Sequence, residues 1–88
     1  MGYENVDKLL LSFSLRRTIP RRKLLMQLCS YTDYIDAETL WLELKSKGDQ
    51  ISWATTYFTL SLLSRHGVVD RKLCDNLGKD IFKLNLNY

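Results

Sequence analysis

The run Ile51-Ser52-Trp53-Ala54-Thr55-Thr56-Tyr57-Phe58-Thr59-Leu60, closed by Arg65-His66-Gly67-Val68-Val69, constrains this chain more than any other segment. It reads as a capped helix over 53–66 that stops at a glycine and passes straight into a strand. Ser52 is placed as N-cap, where its hydroxyl can accept a free N–H of the first turn. Gly67 stands where a helix needs a left-handed residue after its last turn. A helix whose first turn carries hydroxyls and a Tyr, followed at once by a β-hairpin, predicts a winged helix-turn-helix.

The rest of the chain fits one such unit. At 88 residues it is long enough for a single domain, 1–88, with one core. The first helix is expected from about Asn5 to Ser14, because Val6, Leu9, Leu10 and Phe13 fall at i, i+3, i+4, i+7. Thr18 is placed to cap a second helix with Pro20 in its first turn and Leu24, Leu25 and Leu28 on its inner side. Tyr34-Ile35 is a candidate short strand. Asp36 caps a third helix, Ala37 to Lys47, with Leu40, Trp41 and Leu44 inward and Gly48 at its end. A short turn, Gly48-Asp49-Gln50-Ile51, then makes a helix-turn-helix of the third and fourth helices. Val68–Leu73 and Lys79–Leu84 flank the turn residues Asp75-Asn76-Leu77-Gly78, and so predict a hairpin with Leu84 and either Ile81 or Phe82 inward. The predicted class is α+β, mainly α: three to four helices plus a C-terminal β-hairpin wing.

Composition excludes more than it selects. A hydrophobic fraction of 45% and a charged fraction of 26% are ordinary for a globular chain. No apolar run reaches the ~20 residues of a membrane span, and Glu4 and Asp7 argue against a signal peptide. No membrane contact and a cytoplasmic location are therefore expected. Cys29 and Cys74 are far apart and form no CxxC, and one histidine leaves no zinc-ligand set. Neither a metal nor any other cofactor is expected. No enzyme is expected either: there is no glycine-rich phosphate loop, and the lone His66 is placed to meet the C-terminal dipole of its helix. Net charge is only +3, yet Arg16, Arg17, Arg21, Arg22 and Lys23 put five of thirteen basic residues into eight positions without an intervening acid. Such a run is either a solvated face or a phosphate-contacting patch.

Three blocks together resemble the DNA-binding half of the ferric uptake regulator family. The first is Leu15-Arg16-Arg17-Thr18-Ile19-Pro20-Arg21 followed by Leu24-Leu25. The second is Ile35-Asp36-Ala37-Glu38-Thr39-Leu40-Trp41. The third is Ile51-Ser52-Trp53-Ala54-Thr55-Thr56-Tyr57, then Leu60, then Gly67-Val68-Val69. They occur in order and at the family's spacings over roughly residues 8 to 86. The resemblance implies a winged helix that binds double-stranded DNA as a homodimer or with a partner subunit. It implies that Arg16 reaches toward the minor groove and that Arg21, within the basic segment 16–23 with Arg17 and Arg22, contacts phosphate. Ser52 and Thr55 would then offer a hydroxyl and backbone N–H groups to phosphates at a helix N-terminus. Tyr57 would lie against base edges or a thymine methyl in the major groove, and the wing residues Arg71 and Lys72 would add phosphate contacts.

Two departures from the family pattern matter. Phe58 stands where the family has an arginine after the tyrosine, so a two-bond grip on guanine is lost. If the family register holds, Phe58 and Leu62 point outward and Ala54, Thr56, Leu60 and Leu63 point inward. If the helix is rotated, Phe58 is core. An outward Phe58–Leu62 pair would serve either thymine methyls or a protein contact, which makes a protein–protein or homodimerisation module the alternative function. The second departure is that the histidines expected before Ile35 are missing, where Thr32, Asp33 and Tyr34 stand, and residues 1–88 are expected not to include the family's histidine-rich sensing and dimerisation domain. Either a fragment or a stand-alone module of the family is expected, without inherited metal sensing.

Overall fold

The computed structural model describes residues 3–85. Met1-Gly2 and Leu86-Asn87-Tyr88 lie outside the described residues. The elements run α1 (Tyr3–Ser12), α2 (Ile19–Leu28), β1 (Ile35–Asp36), α3 (Ala37–Ser46), α4 (Trp53–Arg65), β2 (Val69–Cys74) and β3 (Lys79–Leu84). This is the predicted winged helix-turn-helix, mainly helical, with the wing completed by a third strand.

Local chemistry sets most boundaries. Thr18 caps α2 by accepting the Arg21 N–H at 3.4 Å, and Pro20 lies in the first turn. Ser52 caps α4 by accepting the Thr55 N–H at 3.0 Å. Gly48 and Gly67 adopt φ of +89° and +85° directly after α3 and α4, the left-handed geometry that removes the Cβ penalty at a helix end. α1 ends two residues earlier than its apolar spacing predicts. Ser14 takes φ +58°, and the Leu15 N–H turns back to the Leu10 carbonyl at 2.9 Å. This is a left-handed helix stop built on a serine, which no glycine signals in the sequence.

Asp36 does two jobs. It caps α3, with one carboxylate oxygen accepting the Thr39 N–H at 3.1 Å and the other accepting the Thr39 hydroxyl at 2.7 Å. It also belongs to β1, which pairs antiparallel with β3 through Ile35↔Phe82 and Asp36↔Ile81. The sheet order is therefore β1-β3-β2, and the wing is tied to the start of α3. Burial alone would raise the Asp36 pKa, but the Thr39 hydrogen bonds and the Lys79 ammonium at 3.2 Å hold it below the usual carboxylate value. A carboxylate depressed in the folded state contributes stability above its unfolded pKa, and that stability is lost as pH falls through the folded value. Asp36→Ala is expected to cost about 0.5–2 kcal/mol at neutral pH. In denaturant melts, the gap from wild type should close as pH drops below about 4.

The core joins all the helices to the sheet. Val6 and Leu10 of α1, Leu24, Leu25 and Leu28 of α2, Leu40 and Leu44 of α3, Leu60 and Leu63 of α4, and Phe82 of β3 are buried in one cluster with Val68 and Val69. Of the residues predicted inward on the hairpin, Phe82 is fully buried, while Ile81 and Leu84 are half-buried. The inner face of α4 needs correction. Thr56, Leu60 and Leu63 are buried as expected, but Ala54 is exposed and Thr59 is buried instead. At about 100° per residue, Ala54 lies some 200° from Thr56 and cannot share its face. Buried Thr56 is satisfied by donating to the Ser52 carbonyl at 2.9 Å.

Candidate nucleic-acid interface

α4 presents a bare face opposite its buried one. Ala54, Tyr57, Phe58 and Arg65 are exposed, and Ser61 lies between them half-buried. Their spacing follows i, i+3, i+4, i+7, i+11, a single stripe on a helix. Phe58 stands out at 65% exposed, so the rotated-helix alternative is excluded. Leu62 is only half-buried, so the expected outward Phe58–Leu62 pair is reduced to Phe58. α4 carries no acidic residue in its first turn and a basic one, Arg65, in its last.

The N-terminus of α4 is held open by its cap. The Ser52 hydroxyl accepts from the Thr55 N–H and donates to the Thr55 hydroxyl oxygen at 2.9 Å. That arrangement leaves the Thr55 hydroxyl proton free for an outside acceptor. The Trp53 and Ala54 N–H groups precede the first intrahelical bond and sit at the positive end of the helix. The turn leading into α4 is pinned by Trp41, whose indole N–H donates to the Ile51 carbonyl at 2.9 Å. Trp41 then meets Trp53 edge-on with ring centroids 5.7 Å apart, and Trp53 lies tilted against Tyr57 at 5.9 Å. Spacings of this kind suit aromatic pairs and stiffen the entry to the helix.

Arg71 and Lys72 were both expected on phosphates, but they leave opposite faces of β2. Arg71 turns toward α4. Its Nε donates to the Asp80 carboxylate at 2.8 Å, and its terminal nitrogens donate to the Ser61 hydroxyl at 3.2 Å and the Tyr57 phenol oxygen at 2.7 Å. Its guanidinium also lies 5.5 Å from the ring centres of Tyr57 and Phe82. Asp80 beside it raises the Arg71 pKa against the opposing effect of burial. Arg71 therefore braces the wing against α4 and fixes the Tyr57 ring, whose phenol proton remains available to donate. Lys72 lies on the other side, 4.2 Å over the ring of Tyr34. Tyr34 donates its hydroxyl to the Asp70 carboxylate, and its own pKa is raised by that bond.

The basic segment divides in the same way. Arg22 grips Asp7 with two parallel bonds at 2.8 and 2.7 Å, and the Asp7 carboxyl is held below its usual range chiefly by that hydrogen bond. Lys23 pairs with Asp49. Arg17 reaches only to 3.9 Å from Asp7 and is half exposed. Arg21 donates to the Arg16 carbonyl at 3.0 Å, which leaves its charge uncompensated. Arg16 is exposed, with no ion-pair partner among the described residues. Within the segment, Arg22 and Lys23 are thus ion-paired inside the fold, while Arg16 and Arg21 keep charges that no acid among the described residues takes up and Arg17 is only loosely paired.

Sequence reasoning missed Arg65, Ser61, Trp53 and Asp80. Arg65 and Ser61 were findable from their spacing to Ala54 and Phe58. Asp80 was not, because its role depends on a strand register. Among the described residues, no group of three or more His, Cys, Asp or Glu could hold a metal ion. No helix among them is long and apolar enough to cross a membrane.

The sequence pattern described as the ferric uptake regulator family matches residues 12–87. No curated protein matches the chain significantly. Among solved structures it is similar to the ferric uptake regulator of Vibrio cholerae, with a TM-score of 0.84 and 30% identity over 94% of this chain and 63% of that one. It is also similar to the regulator of Pseudomonas aeruginosa solved with manganese, with a TM-score of 0.83 and 29% identity over 92% of this chain and 60% of that one. Likeness to the peroxide-sensing PerR of Streptococcus pyogenes, with a TM-score of 0.76 and 24% identity over 93% and 56% of the two chains, concerns the fold alone. The chain spans under two thirds of the length of these relatives.

Proposed function

The chain belongs to the ferric uptake regulator family, and on that premise we propose that it is the DNA-binding module of a transcriptional regulator. α4 enters the major groove of a duplex, and the basic segment 16–23 contacts the sugar-phosphate backbone. The observation that carries this reading is the bare face of α4, which begins at two unbonded N–H groups and carries no acid. A helix start of this kind accepts a phosphate through its N–H groups and its dipole.

Roles follow from what each side chain has left to give. Trp53 and Ala54 offer N–H groups, and Thr55 offers its hydroxyl proton. Tyr57, oriented by Arg71, presents its phenol proton and ring edge to base edges. Arg16 extends toward the minor groove, and Arg17 and Arg21 meet phosphates. Arg71 acts on DNA only through Tyr57 and the wing, and Arg22 acts only through the α1–α2 packing. One module of this size covers roughly 600–1,000 Å² of duplex contact. Two copies, or one copy with a partner subunit, therefore occupy the operator, in the cytoplasm.

Selection from a random duplex pool tests this reading and identifies the site together. A single preferred sequence should emerge. On that sequence, Arg21→Ala should lower the slope of log affinity against log salt by about 0.9, the signature of one lost phosphate contact. A pool that returns unenriched, with no duplex retained at about 50 mM salt, contradicts the reading.

The exposure of Phe58 favours a second reading, in which this face pairs with a protein. It predicts a dimer in solution that Phe58→Lys dissociates, and no dependence of that dimer on DNA.

A further inference from the structure

We infer that Phe58 reads the C5-methyl group of a pyrimidine in the major groove, so that this chain selects thymine, or a methylated cytosine, at the base beneath it. The inference rests on the duplex-binding reading above.

Phe58 is 65% exposed, one of the most exposed large apolar side chains among the described residues. It lies in the middle of the bare stripe, one turn beyond Ala54 and two turns before Arg65. From Trp53 to Ser64 the helix has no Arg, Lys, Asn, Gln, Asp or Glu. Every side chain type able to grip a base with two hydrogen bonds is therefore missing from the three turns that would lie deepest. Tyr57 has one proton to donate, and its ring is held to the side of the wing by Arg71. What remains at the centre of the face is a phenyl ring flanked by the small residues Ala54 and Ser61.

The major-groove edge of a duplex offers one apolar feature, the C5-methyl of thymine or of methylated cytosine. A phenyl ring on that methyl removes apolar surface from water on both sides. The same ring over guanine or over an unmethylated cytosine covers polar edge atoms and returns no hydrogen bond. Phe58 thus favours one edge and penalises the others, which is how a single side chain discriminates.

Charge selects a duplex over a second copy as the occupant. Both ends of the stripe are positive: the helix N-terminus at one end and Arg65 at the other. A two-fold pairing of this face with itself would set Arg65 of one copy against the positive helix end of the other. A polyanion meets no such repulsion.

The test uses the full chain and its selected duplex, with each thymine replaced in turn by deoxyuridine, which differs only by the lost methyl. Wild type should lose about fourfold in affinity per contacted methyl at one or two positions and nothing elsewhere. Phe58→Ala should bind the thymine and uracil duplexes equally at those positions, with an unchanged melting temperature. At the same positions, 5-methylcytosine should bind wild type more tightly than cytosine, and Phe58→Arg should shift the preference toward guanine. If wild type ignores every uracil replacement, or Phe58→Ala keeps the wild-type ratio, the inference is overturned while the DNA reading stands. If wild type retains no duplex at all, the DNA reading falls first and this inference with it.

Discussion

Phe82→Ala is expected to remove about 3–5 kcal/mol of folding stability. Phe82 is 0% exposed and sits mid-strand in β3, opposite Ile35 on one side and Arg71 on the other. Truncation would empty the space where the wing meets the helices, and a close-packed interior refills such a space only in part. The loss would not stop at the core, because the Arg71 guanidinium lies over the Phe82 ring while it reaches Asp80, Ser61 and Tyr57. An unsupported Arg71 frees the wing from α4. Against a total stability of roughly 5–15 kcal/mol, the variant is marginal at best. Urea denaturation should show a much lower midpoint with a similar slope. A loss under about 1 kcal/mol would mean that the wing is not cored on this ring.

What could be read from the sequence was what is decided locally. Thr18, Asp36 and Ser52 cap helices by bonding a backbone group three residues on, and Gly48 and Gly67 end helices through their own backbone. Each needs only its neighbours, and each was placed correctly. The stop at Ser14 was hidden because serine gives no sign of a left-handed conformation. The third strand was half-seen: Tyr34-Ile35 drew attention, but its pairing with β3, more than forty residues on, depends on the finished hairpin. Ala54 was expected inward on the family register, against the angular arithmetic of its own helix, and it is exposed.

The site was less legible than the fold, for a related reason. Arg16, Arg17, Arg21, Arg22 and Lys23 look equivalent as a string. They differ because α1 brings Asp7 to Arg22, and the loop after α3 brings Asp49 to Lys23. Arg71 and Lys72 are adjacent in sequence and part company because a strand alternates its faces. Which cation is spent inside the molecule and which is left for a partner is a property of tertiary pairing.

The second large effect is expected at Ala54. This residue is exposed, stands at the second position of α4 and lies in line with Phe58 and Arg65. A carboxylate there suits the isolated protein, because an acid in the first turn interacts favourably with the helix dipole, by about 0.3–1 kcal/mol. In a duplex complex the same carboxylate would face phosphates. Bringing like charges together across an interface costs several kcal/mol, and about 2.7 kcal/mol already amounts to a hundredfold in affinity. Ala54→Glu therefore separates fold from function: it should leave the protein as stable as wild type or more so, and unable to hold DNA.

The most direct measurement is a mobility shift of wild type and Ala54→Glu on the selected duplex at about 50 mM salt, beside thermal melts of both proteins. Wild type should bind, and Ala54→Glu should bind at least about a hundredfold more weakly while melting no lower. An Ala54→Glu protein that holds the duplex as tightly as wild type would contradict the placement of α4 in the groove.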